Sequence, residues 1–100
     1  MTEPITEPTR AGPHSRLVQI TNKRGLHARA SAKFVTLASA QPAAVEVEKD
    51  GSKVAGTSIM GLMMLGAAKG DHVTISAEGD GAEQTLAVLV ELVENKFGEE

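Results

Sequence analysis

The pattern of apolar and polar positions along the chain predicts four short strands and three helices. Strands are predicted at residues 16–21, 44–48, 52–55 and 72–77, and the second and fourth of these alternate apolar and polar side chains most clearly. Helices are predicted at residues 28–40, 59–65 and 81–97, and the first and third carry apolar side chains three and four positions apart. The order β-α-β-β-α-β-α is typical of an α+β domain with helices on one face of a sheet.

Turn and capping residues separate these elements. The dipeptide Asp50-Gly51, between the second and third strands, is typical of a tight hairpin. Ser58 or Thr57 would cap the second helix. Asp80 and Glu83 match a capping box that would start the third helix, and Gly98 is expected to end it.

The chain divides into an extension and a domain. Residues 1–15 contain three of the four prolines and lack apolar periodicity, so we expect a disordered N-terminal extension. His14 would then be a solvated residue of that extension. The folded domain is expected at residues 16–98.

Composition excludes several classes of function. The net charge of -3 and the presence of only two aromatic residues argue against nucleic-acid binding, which favours a basic surface and stacking side chains. No apolar run approaches the roughly 20 residues that span a bilayer, and no signal-peptide pattern is present, so a cytoplasmic protein is expected. The chain has no cysteine and no histidine pair with metal-ligand spacing, so we expect neither a metal nor a cofactor.

His27 is the main candidate for chemistry because it lies between a predicted strand and a predicted helix. The first amides of a helix have no partners within the helix, and the helix dipole is positive there, so an anion such as phosphate is favoured. Arg29 could donate a charge-assisted hydrogen bond to the same anion. Imidazole is a suitable nucleophile near neutral pH. The local pattern alone fits equally well a histidine that only caps the helix or lies in the loop.

Two segments resemble the HPr family, the histidine phosphocarrier proteins of the bacterial phosphotransferase system. One is the sequence GLHAR at residues 25–29, and the other is SIMGLMMLGAAKG at residues 58–70. Two such blocks in the family's order and spacing are more specific than one short motif. Ala30 stands where most sugar-transport members have proline, which is more similar to the nitrogen-related branch and to α-proteobacterial members.

The resemblance implies an open-faced β-sandwich, in which three helices cover one face of a four-stranded antiparallel sheet of order 1-4-2-3. It also implies a phosphocarrier rather than an enzyme. His27 would accept a phosphoryl group on Nδ1 from enzyme I and pass it to a IIA protein. Arg29 would stabilise the group, and the pathway would be regulatory and nitrogen-related. A monomer is the family expectation.

The second block carries two further expectations from the resemblance. Ser58 would be phosphorylated by HPr kinase/phosphorylase, whereas its structural role alone would be to cap a helix. Ile59, Met60 and Met63 would form a partly exposed docking patch for partner proteins, together with Arg24; the alternative is that these apolar side chains belong to the core. A different function remains open, namely a regulatory interaction domain that carries no phosphate and binds partners through this patch.

Overall fold

The computed structural model describes residues 14–99, and within them the strands form one antiparallel sheet. The strands are β1 (His14–Gln19), β2 (Ala44–Lys49), β3 (Ser52–Ala55) and β4 (His72–Glu78). The helices are α1 (Ala28–Ser39), α2 (Ile59–Met64) and α3 (Ala82–Glu94), and a short 3-10 turn follows at Lys96–Gly98. The sheet order is β1-β4-β2-β3, so the expected topology is confirmed.

One face of the sheet is apolar and the other is polar. β4 lies between β1 and β2, with Val73 opposite Val18 and Ile75 opposite Val47. These four side chains are buried beneath the helices. The other face is open to solvent, and Leu17 on it is 64% exposed. Strict alternation along β2 and β4 therefore gives a sheet with one covered face.

The helices close the core over the covered face. On α1 the predicted stripe is largely confirmed, since Ser31, Phe34 and Ala38 are buried while Val35 is partly buried. The buried apolar side chains of α3 lie at its predicted helical spacing: Leu86, Leu89, Val90 and Val93. Burial of a side chain of this size contributes about 1.5–3 kcal/mol relative to exposure. The core thus fixes the two long helices on the sheet.

The first strand begins earlier than the sequence pattern indicated. β1 starts at His14, and the hydroxyls of Ser15 and Ser76 lie 2.8 Å apart across β1 and β4. His14 is exposed, as expected of a solvated residue, but it belongs to the sheet, so its expected place in the extension is wrong. The rest of the predicted extension, residues 1–13, lies outside the described residues. Antiparallel pairing with β4 extends β1, which the polar composition of these residues did not indicate.

The predicted capping box of the third helix is wrong. Gly81, not Asp80, is the N-cap residue of α3, and no side chain caps it. Gly79 and Gly81 have φ angles of 108° and 73°. Gly81 therefore takes the capping position in a left-handed rather than an extended conformation, and it has no side chain that could accept from the first amides. Glu83 remains in the first turn, where its charge favours the helix dipole.

The predicted end of the third helix is also wrong, and this difference matters for the site. α3 ends at Glu94 rather than at Gly98. Lys96 and Phe97 both have φ of 57°, so the backbone leaves the helical path although Phe97 is still buried. The turn that follows brings Glu99 back towards the start of α1.

The Asp50-Gly51 hairpin is confirmed, because both residues have positive φ, 51° and 86°, as a type I′ turn requires.

Within residues 14–99, none of the helices has the length and apolar character needed to cross a membrane.

Candidate functional site

His27 is the N-cap residue of α1, at the end of a tightly packed loop. Leu26 is buried, and its backbone N–H donates to the carbonyl of Ala67 at 2.9 Å. Gly25 has φ of 65°, and a Cβ atom built on it would lie 2.4 Å from the same carbonyl oxygen. The loop therefore has no room for a side chain at position 25. Packing of the loop against Ala67 therefore fixes the backbone position of His27.

Both ring nitrogens of His27 have partners. Nδ1 accepts a hydrogen bond from the backbone N–H of Arg29, with an N···N distance of 3.3 Å. Nε2 lies 2.6 Å from Oε2 of Glu99. The side chain is 15% exposed, so the ring is held on both sides but still reaches the surface. The site is thus a histidine at the start of a helix, with Nδ1 directed at the first turn.

A buried asparagine holds the carboxylate that contacts the ring. Nδ2 of Asn22 donates to Oε1 of Glu99 at 3.1 Å and to the carbonyl of Gly25 at 2.9 Å. Partial desolvation by itself raises the pKa of the Glu99 carboxyl. The hydrogen bonds from Asn22 and His27 outweigh it, together with the positive charge of Lys33 and that of the His27 ring in its protonated form, so the pKa is lowered. Glu99 is therefore an ionised acceptor at neutral pH.

Positive side chains surround the ring at the surface. A shallow pocket of about 260 Å³ is lined by Lys23, Arg24, His27, Arg29 and Glu99. Arg24 and Arg29 are exposed, and the first turn of α1 has no acidic residue that would compete for its amides. Because the helix dipole is also positive at this end, the pocket suits a small dianion such as a phosphoryl group.

The structure brings the predicted residues Arg24, His27 and Arg29 together, but sequence reasoning missed Asn22 and Glu99. Asn22 lies between the first predicted strand and the first predicted helix, and nothing in the local pattern marks it; Glu99 lies beyond the expected domain boundary. The two are 77 positions apart. No local pattern signals that contact, because it depends on the turn after α3.

Ser58 lies at the start of the neighbouring helix. Its Oγ accepts a hydrogen bond from the backbone N–H of Gly61 at 2.9 Å, so the predicted helix cap is confirmed. α1 packs against α2. Whether the hydroxyl is also a phosphorylation site stays a prediction.

The apolar side chains of α2 divide between the core and the surface. Leu62 and Leu65 are buried. Ile59, Met60 and Met63 are 42%, 68% and 40% exposed, so the alternative that placed them in the core is wrong. Met64, which was not part of the predicted patch, is 78% exposed as well. These side chains form an apolar surface that is available to a partner, but its use in docking stays a prediction.

No group of three or more histidine, cysteine, aspartate or glutamate side chains within the described region is arranged to hold a metal ion. His72 is exposed at the start of β4.

Residues 14–95 match the family model described as "PTS HPr component phosphorylation site". The phosphocarrier protein HPr of Neisseria meningitidis serogroup A is 46% identical over 82 residues, 82% of this chain and 92% of the relative. The phosphocarrier protein NPr of Shewanella violacea is 38% identical, over 84% of this chain and 92% of that protein. The crystal structure of HPr-C-His from Thermoanaerobacter tengcongensis is similar with a TM-score of 0.83 and 49% identity, over 87% of this chain and 98% of that one.

Proposed function

This chain belongs to the HPr family of phosphocarrier proteins of the phosphotransferase system, and we propose that His27 is the residue on which it carries the phosphoryl group. Proteins of this family are carriers that hold the group as phosphohistidine and are not themselves enzymes. The observation that carries the proposal is the contact between Nδ1 of His27 and the first turn of α1. An anion attached to Nδ1 would lie at the positive end of a helix dipole.

Arg29 is the proposed stabilising residue. Phosphoryl transfer depends mainly on the positions of the groups and on stabilisation of charge on the phosphoryl oxygens. Arg29 lines the same pocket as His27, and its side chain is exposed and able to move towards that group. A guanidinium can donate two parallel hydrogen bonds to a phosphoryl group. The transfer replaces the bond between phosphorus and the donor protein with a bond between phosphorus and His27, so we assign no general acid or general base to this chain.

HPr-family proteins exchange the phosphoryl group with enzyme I and with IIA-type proteins. For this chain we propose enzyme I as donor and a IIA protein as acceptor, both docking on the exposed side chains of Ile59, Met60 and Met63 together with Arg24. Methionine is flexible and polarisable, so one such surface can adapt to several partners. We propose that the chain works as a monomer.

Ser58 is a proposed regulatory position. Phosphorylation by HPr kinase/phosphorylase would add about −1.5 to −2 charges next to the apolar docking side chains. Desolvation of that charge would oppose partner binding there. The helix start itself would tolerate the negative charge.

The pathway is proposed to be regulatory and nitrogen-related. Two observations support this, namely Ala30 in place of the proline of most sugar-transport members and the similarity to the NPr protein of Shewanella violacea. Two relatives named HPr are more similar to this chain in sequence than the NPr protein is. The identity of the IIA protein that accepts the group therefore decides which pathway the chain serves.

Phosphorylation by purified enzyme I with labelled phosphoenolpyruvate tests the carrier function. We expect an acid-labile label on the parent protein and none on His27→Ala. His72→Ala is the matched control, because His72 is an exposed histidine on β4 and should leave labelling unchanged. Transfer from the labelled protein to candidate IIA proteins then identifies the acceptor.

A second candidate function is a regulatory interaction domain without phosphate. The exposed apolar surface of α2 favours it, because such a surface can bind a partner whether or not His27 is modified. An unlabelled parent protein that still binds enzyme I or a IIA protein would support this alternative and contradict the carrier.

A further inference from the structure

The turn after α3 holds Glu99 against the ring of His27 at a conformational cost. Lys96 and Phe97 both adopt φ of 57°, a region that residues other than glycine seldom occupy. Phe97 is 1% exposed, and its carbonyl accepts a hydrogen bond from Nζ of Lys33 at 2.7 Å. The turn is therefore fixed by the core on one side and by α1 on the other. Backbone strain that the surroundings maintain is concentrated at functional sites in proteins.

The directions of the hydrogen bonds assign the proton on the imidazole. A backbone N–H can only donate, so Nδ1 of His27 offers a lone pair to Arg29. An ionised carboxylate can only accept a hydrogen bond, so Nε2 carries the proton and donates the hydrogen bond to Glu99, with an N···O distance of 2.6 Å. Asn22 fixes the carboxylate from the other side, since it donates to Oε1. The two contacts select the same neutral tautomer, with the proton on Nε2.

We propose that Glu99 is a positioning residue for phosphoryl transfer, which holds the proton of His27 on Nε2 and leaves Nδ1 as the nucleophile. This inference rests on the proposed function of His27. In the transfer, the lone pair of Nδ1 forms the bond to phosphorus, and the bond between phosphorus and the phosphorylated donor protein breaks with its electron pair returning to the donor. The proton stays on Nε2, so positive charge develops on the ring beside the Glu99 carboxylate.

The same contact assists the reverse step. When the group leaves for an acceptor protein, the phosphorus–nitrogen bond breaks and its electron pair returns to Nδ1. Because the ring keeps its Nε2 proton, the His27 side chain is released as neutral imidazole, which is a better leaving group than the imidazolate anion. Because Glu99 contacts only Nε2 of the ring, it does not occupy the nitrogen that carries the group.

The first test measures the tautomer without any partner protein. We expect ¹⁵N chemical shifts of the His27 ring, measured above the pH at which the ring is protonated, to show a protonated Nε2 and an unprotonated Nδ1. In Glu99→Ala only the contact from the Arg29 N–H still favours the Nε2 proton, so a fraction of the rings with the proton on Nδ1 should become detectable. The matched control is Glu94→Gln, which alters an exposed glutamate at the end of α3 and should leave the spectrum unchanged.

The second test measures transfer from phosphorylated enzyme I. Loss of one hydrogen bond to a charged group predicts a rate about tenfold lower for Glu99→Ala. Glu99→Gln keeps an acceptor for Nε2 but loses the charge, so it should retain the tautomer and give an intermediate rate. Glu94→Gln should accept the group at the rate of the parent.

A parent protein with its proton on Nδ1, or a Glu99→Ala protein with unchanged tautomer and rate, would overturn the inference. The failure of the proposed function has a different signature. In that case the parent shows the Nε2 proton but acquires no label on His27 from enzyme I.

Discussion

The carbonyl oxygen of Ala67 lies against the Cα of Gly25, so closely that a Cβ atom there would approach it to 2.4 Å. This contact joins the histidine loop to the segment that follows α2. The backbone N–H of Leu26 donates to the same oxygen. The two sequence blocks that resemble HPr proteins are therefore in direct contact, and the position of His27 depends on it.

Gly25→Ala should destabilise the fold more than an ordinary glycine substitution. The new side chain meets a positive φ, which costs about 1–2 kcal/mol, and a clash with backbone, which costs about 1–3 kcal/mol more. Gly66→Ala is the control, because Gly66 has the same φ of 65° but nothing within 4 Å of its Cβ position. Urea denaturation should give a larger loss of unfolding free energy for Gly25→Ala, and equal losses would contradict this account.

The sequence predicted the fold well because its signals are local. Alternation in β2 and β4, helical spacing in α1 and the Asp50-Gly51 turn each depend on neighbouring residues, and the structure confirms them. The two failures at α3 have a common cause. Gly81, Lys96 and Phe97 have positive φ, so the helix begins after and ends before the predicted residues. Lysine and phenylalanine seldom adopt this conformation, so their presence in the sequence does not predict it.

The site could be predicted only in part for the same reason. His27 and Arg29 lie within one turn of each other, so a strand–loop–helix pattern was enough to bring them together. Asn22 and Glu99 join the site through a contact between distant parts of the chain. That contact forms only because the core holds Phe97 and the turn reverses the backbone, which is a property of tertiary packing.

Arg29→Ala should slow phosphoryl acceptance from enzyme I by about 10- to 100-fold, the effect of losing a charged hydrogen-bond donor. The bond from the backbone N–H of residue 29 to His27 does not need the side chain, so the ring should keep its position. Arg16→Ala makes the same change of charge at an exposed position of β1 and should have no effect. Stopped-flow or quench-flow transfer assays measure the rates, and a normal rate for Arg29→Ala would remove Arg29 from the mechanism.

The contribution of Glu99 to stability should depend on pH in a defined direction. Its carboxyl pKa is lowered below the ordinary value of 4.5 in the folded protein, through the hydrogen bonds and charges that outweigh desolvation. Such a group stabilises the fold fully above about pH 4.5, and this stabilisation is lost as the pH falls through the folded-state pKa. The charged groups around it are His27, Lys33 and the cations of the pocket.

Chemical denaturation of the parent and of Glu99→Gln at several pH values measures this effect. The parent should be the more stable protein at neutral pH, and the difference should shrink as the carboxyl becomes protonated. A difference that grows towards acid pH would show that the carboxylate does not stabilise the folded state.

Two substitutions at Ser58 separate its structural role from its regulatory one. Ser58→Ala removes the bond to the Gly61 N–H and should cost about 0.5–2 kcal/mol of stability, without slowing transfer from enzyme I. Ser58→Asp can still cap α2, because aspartate is also a preferred capping residue, so the fold should stay stable. Its negative charge beside Met60 should nevertheless slow transfer. A Ser58→Asp protein that accepts the group as quickly as the parent would count against regulation at this position.

The docking surface can be tested with a matched pair of exposed apolar residues. Met60 on α2 is 68% exposed and Leu17 on the open face of the sheet is 64% exposed, so replacing either with glutamate buries no charge in the core. Met60→Glu should raise the KM for enzyme I about tenfold, because a charge must then be desolvated in the complex. Leu17→Glu should leave the KM unchanged. Equal effects of the two substitutions would show that overall charge, rather than contact with α2, governs the interaction with enzyme I.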